Sequence, residues 1–138
     1  MRAARAPRPR VPLPLESETQ KALVKLLDWA LSPGWRYTAN ASGAWLSFDP
    51  GTAARIGRWL REQGVKPGWP DIILIGPSGH FYGLELKRGD RGVMSDKQLE
   101  FQQHAGAHGW PYAVARSYDE AEAILRSWGA LRPKRAVA

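Results

Sequence analysis

The chain has 138 residues, of which 43% are hydrophobic and 24% are charged, a composition typical of a single globular domain. It contains no cysteine, which excludes disulfides, thiolate metal sites and cysteine nucleophiles. Its apolar runs are all shorter than the roughly 18 residues of a membrane-spanning helix, and its formal net charge of +7 is a common property of nucleic-acid-binding proteins.

Both ends of the chain are basic and poor in core-forming residues. Residues 1–14 hold four arginines and residues 130–138 hold three cations, with no acidic residue in either segment. Together they account for the whole net charge, so residues 15–129, the predicted domain, carry balanced charge. We expect the ends to be disordered tails that either attract DNA phosphates without sequence preference or only keep the protein soluble.

The N-terminal segment also bears on cellular location. Prolines interrupt it, and it lacks both the apolar stretch of a secretory signal and the amphipathic pattern of a transit peptide. We therefore expect a soluble, cytoplasmic protein.

Apolar spacing and capping residues predict the elements in chain order, starting with a helix. Ser17 and Gln20 form a capping-box pattern that opens this helix, and Pro33-Gly34 ends it. Its apolar positions recur at helical spacing. They are Leu23, Leu26, Leu27 and Ala30.

The next segment predicts strands and a second helix. Residues 35–48 are rich in aromatic and β-forming residues around a polar loop, which favours one or two short strands. Asp49 followed by Pro50 is typical of a helix N-cap with proline at the first position, and this helix would end at Gly64. Three arginines recur along it as either a ridge that contacts DNA phosphates or an ordinary solvated face. They are Arg55, Arg58 and Arg61.

Two apolar segments, DIILI and HFYGLELK, flank a Gly-Pro-Ser-Gly turn and predict a β-hairpin. If the turn centres on Ser78, Ile75 faces Phe81, and Asp71 faces Glu85. Side chains alternate along a strand, so the residues on either side of Glu85 would face the core while Glu85 itself faces away from it. Two carboxylates therefore become cross-strand neighbours.

The pairing of two carboxylates has a chemical consequence. Adjacent like charges destabilise a sheet unless a cation lies between them, and carboxylate oxygens are the ligands that Mg²⁺ or Mn²⁺ prefers. A divalent-metal site is the simplest physical reason for the arrangement, with the backbone carbonyl of Leu86 as a further ligand. Taken alone, Glu85 with Lys87 is more commonly a solvated ion pair, and Asp71 after Pro70 is commonly a loop cap.

A charged, glycine-containing loop from Arg88 to Met94 follows the hairpin and leads to a third helix. Ser95 and Gln98 form the capping box that opens this helix, which would end near Ala107. Residues 110–115 then predict a strand.

The last helix is capped by Ser117 and Glu120 and closed by Gly129. Its apolar positions are Ala121, Ile124, Leu125 and Trp128. The complete order, α, β, α, β, β, α, β, α, predicts an α/β fold with a mixed sheet flanked by helices.

In combination, these motifs resemble the PD-(D/E)XK nuclease superfamily and, within it, the virus-type replication-repair nuclease (VRR-NUC) domain. The resemblance covers residues 18–128. It rests on SETQKAL, GVKPGWPDIILI, GLELKRGDRGVMSDKQ, GWPYAVARS and the final acidic helix. Trp69 departs from the pattern, because small or β-branched residues are commoner before Pro-Asp. The resemblance implies a restriction-endonuclease-like fold and a divalent-metal-dependent DNA endonuclease.

The resemblance also implies roles for individual residues. Asp71 and Glu85, with the backbone carbonyl of Leu86, would hold Mg²⁺ or Mn²⁺. Lys87 would position or polarise the attacking water and stabilise developing charge. Gln98 would support the site, although the third residue of a helix can equally be a simple capping residue.

Further residues complete the implied site. An early helical acid, either Glu18 or Glu16, would reach the metal through water or merely interact with the helix dipole. Arg88 and Arg91, in the loop after the hairpin, are expected to contact DNA. The histidines are predicted to be non-catalytic. They are His80, His104 and His108.

Small stand-alone members of the family resemble Holliday-junction resolvases, which implies a homodimer that cuts branched DNA. A nuclease for flaps, nicks or single strands is the alternative within the same class. A non-catalytic DNA-binding accessory protein with the same fold is the alternative outside it. In each case we expect a nucleoid-associated protein encoded by a bacterium or a phage.

Overall fold

The structure is a computed structural model that describes residues 15–40, 49–89 and 92–134. Its elements follow the predicted order of helices and strands. Their bounds are α1 Leu15–Ala30, β1 Arg36–Ala39, α2 Pro50–Glu62, β2 Ile72–Ile75, β3 Phe81–Leu86, α3 Asp96–Ala107, β4 Tyr112–Ala115 and α4 Tyr118–Ser127. No helix within the described ranges is long and apolar enough to cross a membrane.

The four strands form one mixed sheet in the order β1-β2-β3-β4. β2 pairs antiparallel with both β1 and β3, whereas β3 and β4 are parallel. In the hairpin, Ile75 pairs with Phe81 and Ile72 pairs with Leu84, which is the predicted register. The α/β fold with a mixed sheet is therefore confirmed.

The hydrophobic core lies on one face of the sheet, where α1 and α4 cover it. β3 contributes Leu84 and Leu86 to this core, and α1 contributes the fully buried Leu23 and Leu27. The predicted apolar face of α4 packs here as well. α3 packs on the opposite face, where Phe101 contacts the aromatic side chains of β3 and β4.

Three helices begin at their predicted caps. The side chains of Asp49, Ser95 and Ser117 each accept a hydrogen bond from a backbone N–H of the first helical turn. The prediction for α1 is wrong, because the helix begins at Leu15 and Ser17 lies inside it. Leucine and glutamate are good helix formers, so helical geometry extends through residues 15 and 16 instead of stopping at a serine cap.

The other boundaries differ by a few residues. α1 ends at Ala30, ahead of Pro33, and α2 ends at Glu62 instead of Gly64. From the predicted strand region the structure describes one strand, β1, while residues 41–48 lie outside the described residues.

The folded part of the chain extends past the predicted boundary at Gly129. Ala130 is fully buried, and Leu131 is 5% exposed and forms a bridge with Leu31. The backbone N–H of Arg132 donates to the carbonyl of Ala30 at 2.7 Å. The prediction of a tail starting at residue 130 is therefore wrong for these three residues. The prediction was based on charge alone, and charge gives no information about the apolar Ala130 and Leu131, which pack against the core.

The next basic residue, Lys134, also contacts the folded domain. Lys134, the last residue described, lies 3.7 Å from the Glu122 carboxylate. Residues 1–14 and 135–138 lie outside the described part of the chain. Two of the three C-terminal cations, Arg132 and Lys134, thus contact the folded domain.

Candidate metal centre

The hairpin brings Asp71 and Glu85 to neighbouring positions. The register that pairs Ile72 with Leu84 sets Asp71 opposite Glu85 one residue further on. Asp71 is held there by its own carboxylate, whose Oδ2 accepts a hydrogen bond from the backbone N–H of Leu86 at 2.7 Å. Both carboxylates therefore lie where the hairpin opens away from its turn.

Glu85 is the one charged side chain that is fully buried in the described part of the chain, with 1% exposure. Its Oε1 accepts a hydrogen bond from Nε2 of Gln98 at 2.8 Å and lies 3.9 Å from Nζ of Lys87. Removing a carboxylate from water is costly, and such pairs rarely stabilise a fold more than apolar residues would. Chemistry is therefore a better explanation for Glu85 than stability.

Gln98 combines the two roles that the sequence left as alternatives. Its Oε1 accepts from the backbone N–H of Ser95 at 2.8 Å, which completes the capping box of α3. Its Nε2 donates to Glu85 at the same time. Because an N–H needs an acceptor and a carboxylate needs a donor, the two partners fix the orientation of the amide. The start of α3 is thereby tied to the buried carboxylate.

Lys87 lies just past the end of β3 and remains on the face of Glu85. Its backbone N–H donates to the carbonyl of Ala115 at 2.9 Å, so the strand geometry continues through it. Its side chain is 13% exposed. Gly92 folds back against it, and a Cβ at Gly92 would lie 2.9 Å from Cβ of Lys87. Glycine at this position lets the loop cover the lysine stem.

A second glycine allows the loop before β2 to reach the sheet. A Cβ at Gly83 would lie 2.7 Å from Cγ of Pro70 and 3.2 Å from Cδ2 of Tyr112. The missing side chain therefore leaves space for Pro70, which is fully buried, to pack against β3. This contact sets the position of Asp71, the next residue.

Aromatic side chains form the edge of the site beside α3. Trp69 is 42% exposed, and its ring centroid lies 5.2 Å from that of Phe101. Phe101 continues the cluster towards Tyr112 and Trp110, at 5.9 and 6.3 Å. The bulky residue before Pro-Asp is thus accommodated by an aromatic partner on the helix.

Two residues near the site, Arg116 and Tyr112, were not predicted from the sequence. Nη1 of Arg116 donates to the carbonyls of Gly89 and Gly92, both at 2.7 Å, and so holds the two described ends of the loop after β3. A sequence pattern gives no signal for such a contact, because the acceptors are backbone carbonyls.

Tyr112 lies beside the carboxylates, and its buried hydroxyl has no hydrogen-bond partner among the described residues. Burial raises the pKa of this phenol well above its usual value, and the charges of Glu85 and then Asp71 raise it further. The hydroxyl is therefore protonated and lies within the electrostatic field of the site. Its position on the strand, paired with Gly83, follows from the register of β3 and β4 and not from any local motif.

Of the two early acids, the structure describes only the side chain of Glu18, which is not joined to the two carboxylates. Glu18 is exposed in α1, and the side chain of Glu16 lies outside the described residues. Within the described part of the chain, no three His, Cys, Asp or Glu side chains form a metal-binding group. Among the described residues, the cluster therefore consists of two carboxylates, supported by Gln98 and Lys87.

The histidines and the described candidate DNA-binding arginines lie on the surface. The rings of His104 and His108 stack at 4.1 Å beside Trp110, and His80 is exposed next to the hairpin turn. Arg88 is exposed, while Arg91 lies outside the described residues. All three arginines of α2 are also exposed. They are Arg55, Arg58 and Arg61.

The donor set fits a hard divalent cation. Asp71 and Glu85 supply carboxylate oxygens, and the pleat of β3 directs the carbonyl of Leu86 to the side of Asp71, as it does the N–H of the same residue. Mg²⁺ is usually bound through one or two carboxylates, with water and substrate phosphate as its other ligands. Two carboxylates and a carbonyl are sufficient for that mode of binding.

Sequence comparisons and structure comparisons differ in outcome. No family model matches the sequence. No curated protein matches it either. A solved structure described as "VRR_NUC domain" matches with a TM-score of 0.54 at 16% identity, covering 84% of this chain and 99% of the other. A second, described as "VRR_NUC domain protein", matches with a TM-score of 0.53 at 19% identity, covering 82% and 86%. The chain therefore has the fold of these VRR_NUC domain structures.

Proposed function

We propose that this protein is a VRR-NUC-type endonuclease that uses Mg²⁺ or Mn²⁺ to hydrolyse DNA phosphodiester bonds. The observation that carries the proposal is the buried Glu85 carboxylate, which lies opposite Asp71 and is oriented by Gln98 and Lys87. A buried carboxylate, even when a lysine lies beside it, rarely stabilises a fold more than apolar residues would. Its presence on a nuclease-type fold favours a metal-dependent nuclease.

The chain's own residues divide the chemistry between them. Asp71, Glu85 and the Leu86 carbonyl would hold the ion, which would supply positive charge to activate a water molecule and to neutralise the reacting phosphate. Gln98 keeps the Glu85 carboxylate in one orientation. Lys87 supplies a second positive charge to the pentavalent transition state and orients the water. In the reaction, a water oxygen forms a bond to phosphorus and one phosphate ester bond breaks. The attacking water gives up a proton to solvent, and the departing oxygen takes one up from solvent.

The substrate we propose is branched DNA, cut by a homodimer. The proposed site is the pair Asp71 and Glu85 of a single chain, whereas symmetric cleavage of a four-way junction requires two sites. The candidate arginines of α2 and of the segment after β3 would contact the phosphates without reading bases. They are Arg55, Arg58, Arg61, Arg88 and Arg91. A cytoplasmic, nucleoid-associated location agrees with this substrate.

The test is cleavage of labelled four-way junction, flap and linear duplex, each with Mg²⁺, with Mn²⁺ and with chelator. Wild type, Asp71→Asn and the matched control Asp119→Asn, an exposed acid of α4, are purified identically. We expect wild type and Asp119→Asn to cut the junction only with metal, and Asp71→Asn to be inactive.

The other outcomes are informative. Preferential cleavage of the flap would show that flap DNA, and not the junction, is the substrate, while the proposed nuclease activity would stand. Binding of DNA without cleavage in any metal would support the accessory-protein alternative. Equal cleavage by Asp71→Asn would indicate a contaminating nuclease and overturn the proposal for this site.

A further inference from the structure

Tyr112 shares the sheet face of the two carboxylates. β4 runs parallel to β3 and pairs Tyr112 with Gly83, two residues before Glu85 and therefore on the same side of the sheet. The ring fills the space left by Gly83 and contacts Phe101 of α3 at a centroid distance of 5.9 Å. Packing thus fixes the ring next to the site.

The hydroxyl of Tyr112 is not explained by packing. It is buried and has no hydrogen-bond partner among the described residues, although phenylalanine would fill the same volume without a polar atom. A buried hydroxyl without a partner reduces stability, and such groups in native proteins commonly serve a ligand or a bound water. The register sets Tyr112 on the sheet face of Glu85, and the charges of Glu85 and then Asp71 add to the burial that raises the pKa of this hydroxyl.

We propose that Tyr112 is a positioning residue whose hydroxyl donates a hydrogen bond to a water molecule beside Asp71 and Glu85, and so helps to complete the ligand set of the divalent ion. This inference rests on the function proposed above. A tyrosine is protonated at neutral pH even without perturbation, so its O–H is available as a donor. Donors that orient the ligands of a metal commonly change metal affinity as well as activity.

The test compares Tyr112→Phe with Tyr82→Phe, a matched control on β3. Tyr82 packs on the opposite face of the sheet, against Trp35 and Trp128 at 4.7 and 5.2 Å. Three quantities are measured for each variant and for wild type. They are the melting temperature without metal, the Mn²⁺ affinity by calorimetry without DNA, and the single-turnover cleavage rate at saturating Mn²⁺.

We expect Tyr112→Phe to melt at the same temperature as wild type or higher, to bind Mn²⁺ ~10-fold more weakly and to cleave at least ~10-fold more slowly. Tyr82→Phe should match wild type in Mn²⁺ affinity and cleavage. A lower melting temperature for Tyr112→Phe would overturn the proposal, because the hydroxyl would then have a partner within the metal-free protein. Wild-type Mn²⁺ affinity in Tyr112→Phe would also overturn it.

Glu85→Gln separates this inference from the proposed function. If wild type binds Mn²⁺ and Glu85→Gln does not, while Tyr112→Phe binds normally, only the inference about Tyr112 fails. If wild type binds no Mn²⁺ with or without DNA, the proposed function fails as well.

Discussion

The two faces of β3 bury different kinds of side chain. On one face Leu84 and Leu86 are at most 3% exposed and pack against α1 and α4. On the other face Glu85 is equally buried, at 1%, but contacts Gln98 and Lys87. Burial on the first face stabilises the fold, whereas burial on the second removes a charge from water at a cost.

The comparison separates residues by what their removal should do. Truncating a leucine of the core face should reduce stability and leave chemistry intact in the molecules that remain folded. Neutralising the carboxylate of the site face should remove chemistry and leave stability intact. A core-face leucine variant or a site-face carboxylate variant that affects both quantities together would contradict the distinction.

The largest effect is expected for Glu85→Gln. The amide keeps the shape of the side chain and an oxygen that accepts from Gln98, but it removes the charge. We expect metal-dependent cleavage to fall more than ~100-fold, beyond the usual cost of losing a group that only supports a metal ligand. The free energy of unfolding without metal should stay the same or rise, which urea denaturation checks. A clear loss of stability would show that Glu85 is structural.

Leu84→Ala should have the opposite effect. This fully buried leucine is the sequence neighbour of Glu85 and points into the core. Its truncation should lower the free energy of unfolding by about 2–5 kcal/mol. Mn²⁺ affinity, measured well below the melting temperature, should remain close to that of wild type. Loss of Mn²⁺ binding by the folded variant would mean that the two faces are coupled.

Gln98→Ala should affect both properties moderately, because the amide contacts Ser95 and Glu85 at once. We expect cleavage to fall ~10-fold and stability to fall by about 1 kcal/mol. Ser95→Ala is the matched control, since it removes the cap hydroxyl and leaves the contact to Glu85. It should lose similar stability at an unchanged cleavage rate. Equal cleavage by both variants would show that Gln98 acts only as a helix cap and does not support Glu85.

The smallest effect concerns Glu122 on α4, which belongs to neither face of β3. A hydrogen bond from Arg126 lowers the pKa of Glu122 below its usual value, and Lys134 contributes further. Because the pKa is lower in the folded state, the contribution is present above the unfolded pKa of about 4.5 and is lost as pH falls through the folded value. Glu122→Gln should therefore cost about 0.5 kcal/mol at pH 7. Denaturation at low pH should show no difference, and an equal loss there would contradict an ionic contribution.

Local patterns in the sequence were sufficient for the elements and the hairpin. The turn around Ser78 predicted a register that the structure confirms. The caps at Asp49, Ser95 and Ser117 could be predicted because each side chain binds a backbone N–H only three residues along the sequence. Alternation along β3 then indicated which residues face away from the core.

The rest depended on contacts between distant residues. The pairing of Tyr112 with Gly83 comes from a parallel crossover, which no local signal specifies. The bonds of Arg116 to two loop carbonyls are equally non-local. Charge counting also misplaced the C-terminal boundary, because Ala130 and Leu131 close the core beside cations. A truncation intended to remove the C-terminal tail should therefore start after residue 134.

The proposal that Asp71 and Glu85 hold a divalent ion is tested most directly by a calorimetric titration of Mn²⁺ into wild type and Asp71→Asn without DNA. Asp71 binds the N–H of Leu86 through one carboxylate oxygen, so the asparagine variant can keep that bond through its own oxygen. We expect wild type to bind Mn²⁺ saturably. Asp71→Asn should bind Mn²⁺ at least ~100-fold more weakly at an unchanged melting temperature. Equal Mn²⁺ binding by the two proteins would contradict the proposal.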